Sequence, residues 1–246
     1  MKLARLPDGS PEIFRTLQGE GPSIGCPAVF LRLSLCNLHC VWCDTPFTWN
    51  WEGSPWPHQD KRKYSKEEHL LTLSCEEIAP ILEQTASTGD RLVITGGEPL
   101  LQQEEIVTLL QNLPKSFSAV EVETNGTQLP SPSLDTLITQ YNVSPKLSNS
   151  LNSEELRLPE APLEFFADSP KAFFKFVILA DQDLAEVHHL ATRFGIPAHR
   201  ILLMPEGRTR EALDKNRARV AEACLAGGFR LTDRLHVQLW GDQRGR

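Results

Sequence analysis

The sequence predicts an α/β fold built on a mostly parallel sheet, and two observations carry that expectation. Short apolar runs alternate with amphipathic stretches along nearly the whole chain, the pattern of consecutive βα units. Two of the amphipathic stretches also open with capping chemistry, since Ser74 stands three residues before Glu77 and Asp183 three before Glu186.

Taken in order, the first strand is Ala28 to Leu35. Val29, Leu31, Leu33 and Leu35 share one face, while Phe30, Arg32 and Ser34 share the other. A helix from Cys75 to Thr88 leads to a strand from Arg91 to Thr95. A helix from Leu101 to Leu113 leads to strands at Ala119 to Thr124 and Tyr141 to Ser144. Phe173 to Leu179, a helix from Asp183 to Phe194, Ile201 to Met204 and a helix from Thr209 to Ala226 continue the alternation. The last apolar run, Leu235 to Leu239, reads as a seventh strand with His236 and Gln238 on one face.

A full eight-unit barrel takes about 250 residues before any insertion. This chain has 246 residues and seven strand candidates, and it gives a long irregular stretch at 46–73 to something else. The expectation is therefore an incomplete, TIM-like (β/α) barrel, open on one side. No Pro/Gly/Ser-rich linker divides it, so residues 1–246 are read as a single domain. The 46–73 stretch is its insertion, and the polar stretch at about 149–168 is a decoration.

Composition narrows the function. With Lys+Arg 25 against Asp+Glu 32, a net charge of −7 and a pI near 5.5, a broad basic nucleic-acid surface is not expected. No apolar run approaches the ~20 residues of a membrane span. The N-terminus, Met1 to Phe14, has no signal-peptide core, so the expected compartment is the cytoplasm. There cysteines stay reduced. Of the six, Cys36, Cys40 and Cys43 fall within eight residues, which in a reducing compartment favours a metal or redox site over disulfides. Cys26, Cys75 and Cys224 are read as ordinary thiols.

Cys36-Asn-Leu-His-Cys40-Val-Trp-Cys43 is a C-x3-C-x2-C run leaving a strand. A cubane iron–sulfur cluster usually takes four thiolates. Three would leave one iron open, and an open coordination position marks a catalytic rather than a structural metal. Structural zinc is the competing reading. It needs a fourth ligand, and His39 between two of the cysteines would be strained as one.

Other loops follow strands in the same way: Gly96-Gly97-Glu98-Pro99, Glu123-Thr124-Asn125-Gly126, Ser144-Pro145-Lys146 and Met204-Pro205-Glu206-Gly207. In parallel α/β folds ligands sit at the carboxyl ends of strands, so these loops should converge. Arg32, Glu121, Glu123, Lys175 and His236 fall on inward faces. Buried charge is costly unless it is paired or meets a ligand. For Arg32 the expected partner is a ligand carboxylate, which a guanidinium matches bidentately.

On the cysteine run with Trp42 before its last cysteine, together with Gly96 to Pro99, the chain resembles the radical S-adenosylmethionine superfamily. Within it, the chain resembles the 7-carboxy-7-deazaguanine synthase family, which serves queuosine biosynthesis and hence tRNA modification. The further matches are Leu17 to Pro22, Arg32, Cys43-Asp44-Thr45, Val122 to Gly126, Ser144 to Lys146 and Leu203 to Gly207. The resemblance implies a radical SAM core with a 4Fe–4S cluster on Cys36, Cys40 and Cys43. S-adenosylmethionine would be held by Trp42, Asp44, Gly97, Glu98, Glu123, Asn125, Ser144, Pro145, Lys146, Met204, Pro205 and Glu206, and Mg²⁺ by Thr45. The pterin substrate would meet Leu17, Gln18, Gly19, Glu20, Arg32 and Thr95. The implied reaction turns 6-carboxy-5,6,7,8-tetrahydropterin into 7-carboxy-7-deazaguanine with loss of ammonia. It makes the chain a carbon–nitrogen lyase fed by a donor such as flavodoxin or ferredoxin, in a homodimer. A glycyl-radical activase would share the cysteines and Gly-Gly-Glu-Pro, but Gln18 to Pro22 and Arg32 favour a small carboxylated substrate.

Overall fold

Ten strands form one sheet in the computed structural model, which describes residues 1–113 and 117–246. They are β1 (Lys2–Ala4), β2 (Ile13–Leu17), β3 (Pro27–Leu33), β4 (Leu70–Thr72), β5 (Arg91–Gly96), β6 (Ala119–Thr124), β7 (Gln140–Val143), β8 (Ala172–Ile178), β9 (Ile201–Pro205) and β10 (Arg230–Leu231). The helices are α1 (Lys66–His69), α2 (Cys75–Thr85), α3 (Gln103–Asn112), α4 (Pro132–Leu137), α5 (Glu154–Arg157), α6 (Glu160–Asp168), α7 (Gln182–Arg193), α8 (Arg210–Gly227) and α9 (Leu235–Trp240). The sheet order is β10-β9-β8-β7-β6-β5-β3-β1-β4, with β2 also paired to β3. From β10 to β3 every pairing is parallel, and β1, β2 and β4 add antiparallel strands at the other side. The expected α/β class with a mostly parallel sheet is what the chain adopts.

The two faces of the strands follow the alternation of the sequence. Val29, Leu31 and Leu33, Leu92 and Ile94, Val122, Tyr141 and Val143, and Phe174, Phe176 and Ile178 enter one continuous core under the helices. The other face carries Arg32, Thr95, Glu123, Asn142 and Lys175, which line a shared cavity. One residue of slip in any strand would exchange these sets, so the apolar face fixes the register that places the polar groups.

Two expectations are corrected. Leu235 to Leu239 is not a strand but part of α9; a five-residue apolar run fits either period, and only tertiary packing decides. The Ser74–Glu77 capping box forms, but that of Asp183 and Glu186 does not. Asp183 instead accepts the Leu179 and Ala180 amides at 2.7 and 2.9 Å, while Glu186 binds Ser148. Within residues 149–168, α6 buries Leu163, Phe166 and Ala167, an i, i+3, i+4 stripe, in the core. The 46–73 stretch ends in β4, which pairs with β1, and its buried Trp49 packs beside the cysteine run. No helix among the described residues is long and apolar enough to cross a membrane.

Candidate active site

The cavity at the strand ends has a volume of about 190 Å³. Its position follows from how β3 terminates. Leu35 adopts a left-handed φ of 77°, a sparsely populated conformation for a branched residue that the surroundings must hold. Its amide donates to the Thr48 carbonyl at 3.0 Å, and its carbonyl accepts from the Glu98 amide at 2.8 Å. The chain is thereby turned out of the strand and into Cys36 to Cys43, whose three thiols all line the cavity.

Gly97 makes this turn possible. A β-carbon there would lie 2.0 Å from the Leu35 carbonyl oxygen and 3.1 Å from the Cys36 β-carbon. Gly97→Ala is therefore expected to destabilise the protein by about 1–3 kcal/mol through overpacking and to displace the first cysteine. A denaturant titration alongside an iron determination checks both; unchanged iron uptake would contradict the close-approach role.

Glu98 is held differently from expectation. Its carboxylate is fully buried and accepts from the Leu100 and Asn125 amides at 3.0 and 2.7 Å and from the Thr124 hydroxyl at 2.8 Å. Burial pushes its pKa up against those bonds. It ties the Gly-Gly-Glu-Pro turn to the Asn125 loop and does not line the cavity. Pro145, Met204, Pro205 and Glu206 also lie outside the wall. β9 continues through Pro205 in register with Ile178, so the sheet takes up residues read as a loop. Glu206 is half-buried, its carboxyl raised by that burial.

The remaining expected residues converge. Leu17, Gln18, Gly19, Glu20, Arg32, Trp42, Asp44, Thr45, Thr95, Gly97, Glu123, Asn125, Ser144 and Lys146 line the cavity with the three cysteines. Glu123 accepts from the Gln18 amide at 3.1 Å and the Thr95 hydroxyl at 2.7 Å. Arg32 donates through Nε to Glu12 at 2.8 Å, its one partner among the described residues, which leaves both terminal nitrogens unspent. Lys146 reaches the Ser144 hydroxyl at 2.9 Å.

Sequence reasoning missed Arg234 and underused Lys175. Glu20 lies between them, paired with Lys175 and accepting from Arg234 Nε at 3.0 Å. Arg234 also binds Asp44 and the Gly207 carbonyl. Burial alone would raise the Glu20 carboxyl, but Lys175 and Arg234 hold it well below the usual range. The signal was indirect: an interior Glu20 requires interior cations. His236 does face the cavity, from a helix rather than a strand; burial lowers its pKa and favours the neutral ring.

The three thiols form one donor set on the cavity wall. A structural zinc would need a fourth protein ligand beside the three cysteines. His39 lies outside the wall, stacked on Trp56 at 3.9 Å. Three thiols from one short run on one wall are the donor set that a cluster bound by three cysteines would use. Burial raises all three, and Cys40 is pushed up to about 11. A cluster's positive irons are what would stabilise the thiolates.

The comparisons agree with this geometry. Residues 17–156 match the family model described as "4Fe-4S single cluster domain", and a parallel α/β sheet with such a site at its strand ends defines a radical S-adenosylmethionine enzyme. The chain is 38% identical to the 7-carboxy-7-deazaguanine synthase of Pyrobaculum aerophilum, covering 96% of both chains. It is 35% identical to that of Halobacterium salinarum, over 94% of this chain and 90% of the relative. The crystal structure of QueE from Escherichia coli superposes with a TM-score of 0.67 at 28% identity, covering 96% of this chain and 95% of that one. The chain belongs to the 7-carboxy-7-deazaguanine synthase family.

Proposed function

We propose that this protein converts 6-carboxy-5,6,7,8-tetrahydropterin into 7-carboxy-7-deazaguanine, with ring contraction and loss of ammonia. The observation that carries the proposal is one cavity holding three open thiols together with Arg32, Gln18, Thr95 and the Glu20–Lys175–Arg234 network. When bound, a 4Fe–4S cluster and S-adenosylmethionine would supply the radical hydrogen-abstraction chemistry. Cys36, Cys40 and Cys43 would hold the cluster. Ser144, Lys146, Gly97 and Asp44 would hold the nucleoside cofactor.

The protein's share is binding and orientation. Arg32 offers its two free nitrogens to the substrate carboxylate, while Glu12 fixes the plane of the guanidinium. Gln18 and Thr95 donate to Glu123, so their remaining polar edges are oriented before a ligand arrives. Thr45 would hold one position of a Mg²⁺ ion. A hard octahedral ion then completes its shell with water and substrate oxygens.

The same proposal includes a partial barrel curled around the cavity and a single catalytic unit over residues 1–246. It also includes a homodimer, a cytoplasmic site of action and a flavodoxin- or ferredoxin-like electron donor. The test is an anaerobic assay with reductant, S-adenosylmethionine, Mg²⁺ and carboxytetrahydropterin. Formation of the deazaguanine product is expected; cluster-loaded protein that cleaves S-adenosylmethionine but never yields that product would overturn the assignment.

A further inference from the structure

Each sulfur of the cysteine run faces a side-chain N–H from a different segment of the chain. Trp49 points its indole Nε1 at Cys43 Sγ, 3.4 Å away. Asn152 directs Nδ2 at Cys40 Sγ at 3.3 Å, and Asn125 directs Nδ2 at Cys36 Sγ at 3.9 Å. The orientations are fixed by other bonds. Asn152 Oδ1 accepts the His39 backbone amide at 2.9 Å, which forces its nitrogen toward the sulfur. Asn125 Oδ1 accepts the Thr127 amide at 2.9 Å, which leaves Nδ2 to donate to Asn37 Oδ1 at 2.9 Å with the Cys36 sulfur as its longer second contact. Trp49 is buried, and its ring is held edge-on between His39 and His58. His58 in turn bridges the Cys43 carbonyl at 2.8 Å and Asp60 at 2.6 Å.

Local pairing alone would not produce this arrangement. Trp49 comes from the 46–73 insertion, Asn152 from the loop after β7 and Asn125 from the loop after β6. Asparagine and indole N–H groups beside sulfur form weak bonds while the thiol is neutral, and stronger ones when the sulfur carries charge. A donor that bonds an anionic sulfur favours the more negative oxidation state of a cluster, because reduction adds charge that the sulfurs share.

We propose that Trp49, Asn152 and Asn125 are positioning residues that orient the three cysteine sulfurs and raise the reduction potential of the bound cluster. The proposal rests on the reading of Cys36, Cys40 and Cys43 as cluster ligands. It also gives the insertion a chemical role, since Trp49 covers the last sulfur with a donor from a dry, aromatic wall.

The experiment is a redox titration of the reconstituted full chain, followed by electron paramagnetic resonance, after iron and sulfide have been counted. Trp49→Phe keeps the ring and removes the donor. Asn152→Asp keeps the acceptor for His39 and removes the donor but adds a negative charge that itself lowers the midpoint, so it is paired with Asn152→Leu, which removes the donor without adding charge. All three variants are expected to retain iron and to show a more negative midpoint. At fixed poise the ratio of reduced to oxidised cluster should fall by up to about tenfold, ~59 mV for one electron.

Trp56→Phe is the control, since Trp56 stacks on His39 and donates to none of the three sulfurs; its midpoint should stay at the wild-type value. Should Trp49→Phe lose iron, the charge-neutral Asn152→Leu carries the measurement. Wild-type midpoints in Trp49→Phe and Asn152→Leu, or an equal shift in Trp56→Phe, would overturn the proposal. Wild-type protein without iron would instead refute the ligand reading, a separate failure seen in the count itself, and the proposal would fall with it.

Discussion

Cys36→Ala, Cys40→Ala and Cys43→Ala should each abolish the iron–sulfur absorbance and all turnover, while Cys224→Ala should leave both at wild-type levels. The three thiols are the ones that open into the cavity, and each sits on a segment whose backbone is committed elsewhere. Leu35 is pinned to Thr48 and Glu98, the His39 amide to Asn152, and the Cys43 amide to the Cys40 carbonyl. Cys26, Cys75 and Cys224 do not line the cavity. Cys224 lies on α8 in the core cluster and gives its thiol to the Arg230 carbonyl at 3.3 Å. Its loss removes one buried atom and no ligand. Iron determination, with about four irons per chain expected in the parent, and the product assay together check the partition. Comparable losses in all four variants would contradict it, and one zinc per colourless chain would end the iron–sulfur assignment.

Much of this site was legible because two periodic signals coincide in it. The strand period of two put Arg32, Glu123 and Lys175 on inward faces without any knowledge of partners, and the cysteine run follows the strand that carries Arg32. Loops after parallel strands share one end of a sheet, so Gly97, Asn125 and Ser144 could be grouped before their contacts were known. What failed to show in the sequence depends on pairing across long separations. Glu12 sits in an unremarked N-terminal stretch, yet it is fully buried and pairs with both Arg32 and Arg244. Neither β1 nor β4 has a local pattern of its own, since three-residue strands are defined by what they pair with. Arg234 precedes an apolar run whose period was ambiguous, and reading that run as a strand hid the turn that sends Arg234 and His236 to the same cavity. The 46–73 stretch likewise looked irregular because its order comes from Lys63 donating across it to Asn50 and the Trp56 carbonyl and from Trp49 and His58 bonding to Cys43 outside it.

Glu20→Gln is expected to unfold the protein more readily by about 3–5 kcal/mol at neutral pH, the cost of leaving buried cations without their counter-charge. Side-chain exposures of 13% for Glu20, 12% for Lys175 and 8% for Arg234 mean that little solvent remains to screen them. Asp44 can still pair with Arg234, but Lys175 loses its salt-bridge partner. His236 gives no relief, because its ring is biased toward the neutral form. The pH dependence follows from the sign of the shift. Burial raises the Glu20 carboxyl, yet Lys175 and Arg234 outweigh it, so the folded value lies below the ordinary 4.5. Its contribution is therefore complete above about 4.5 and is lost as pH falls from there toward the folded value. Urea titrations at pH 7 and at pH 4 should show the parent losing part of its advantage over Glu20→Gln at the lower pH. A gap between the two proteins that is below 1 kcal/mol at pH 7, or that widens on acidification, would mean that Glu20 does not neutralise the cations around it.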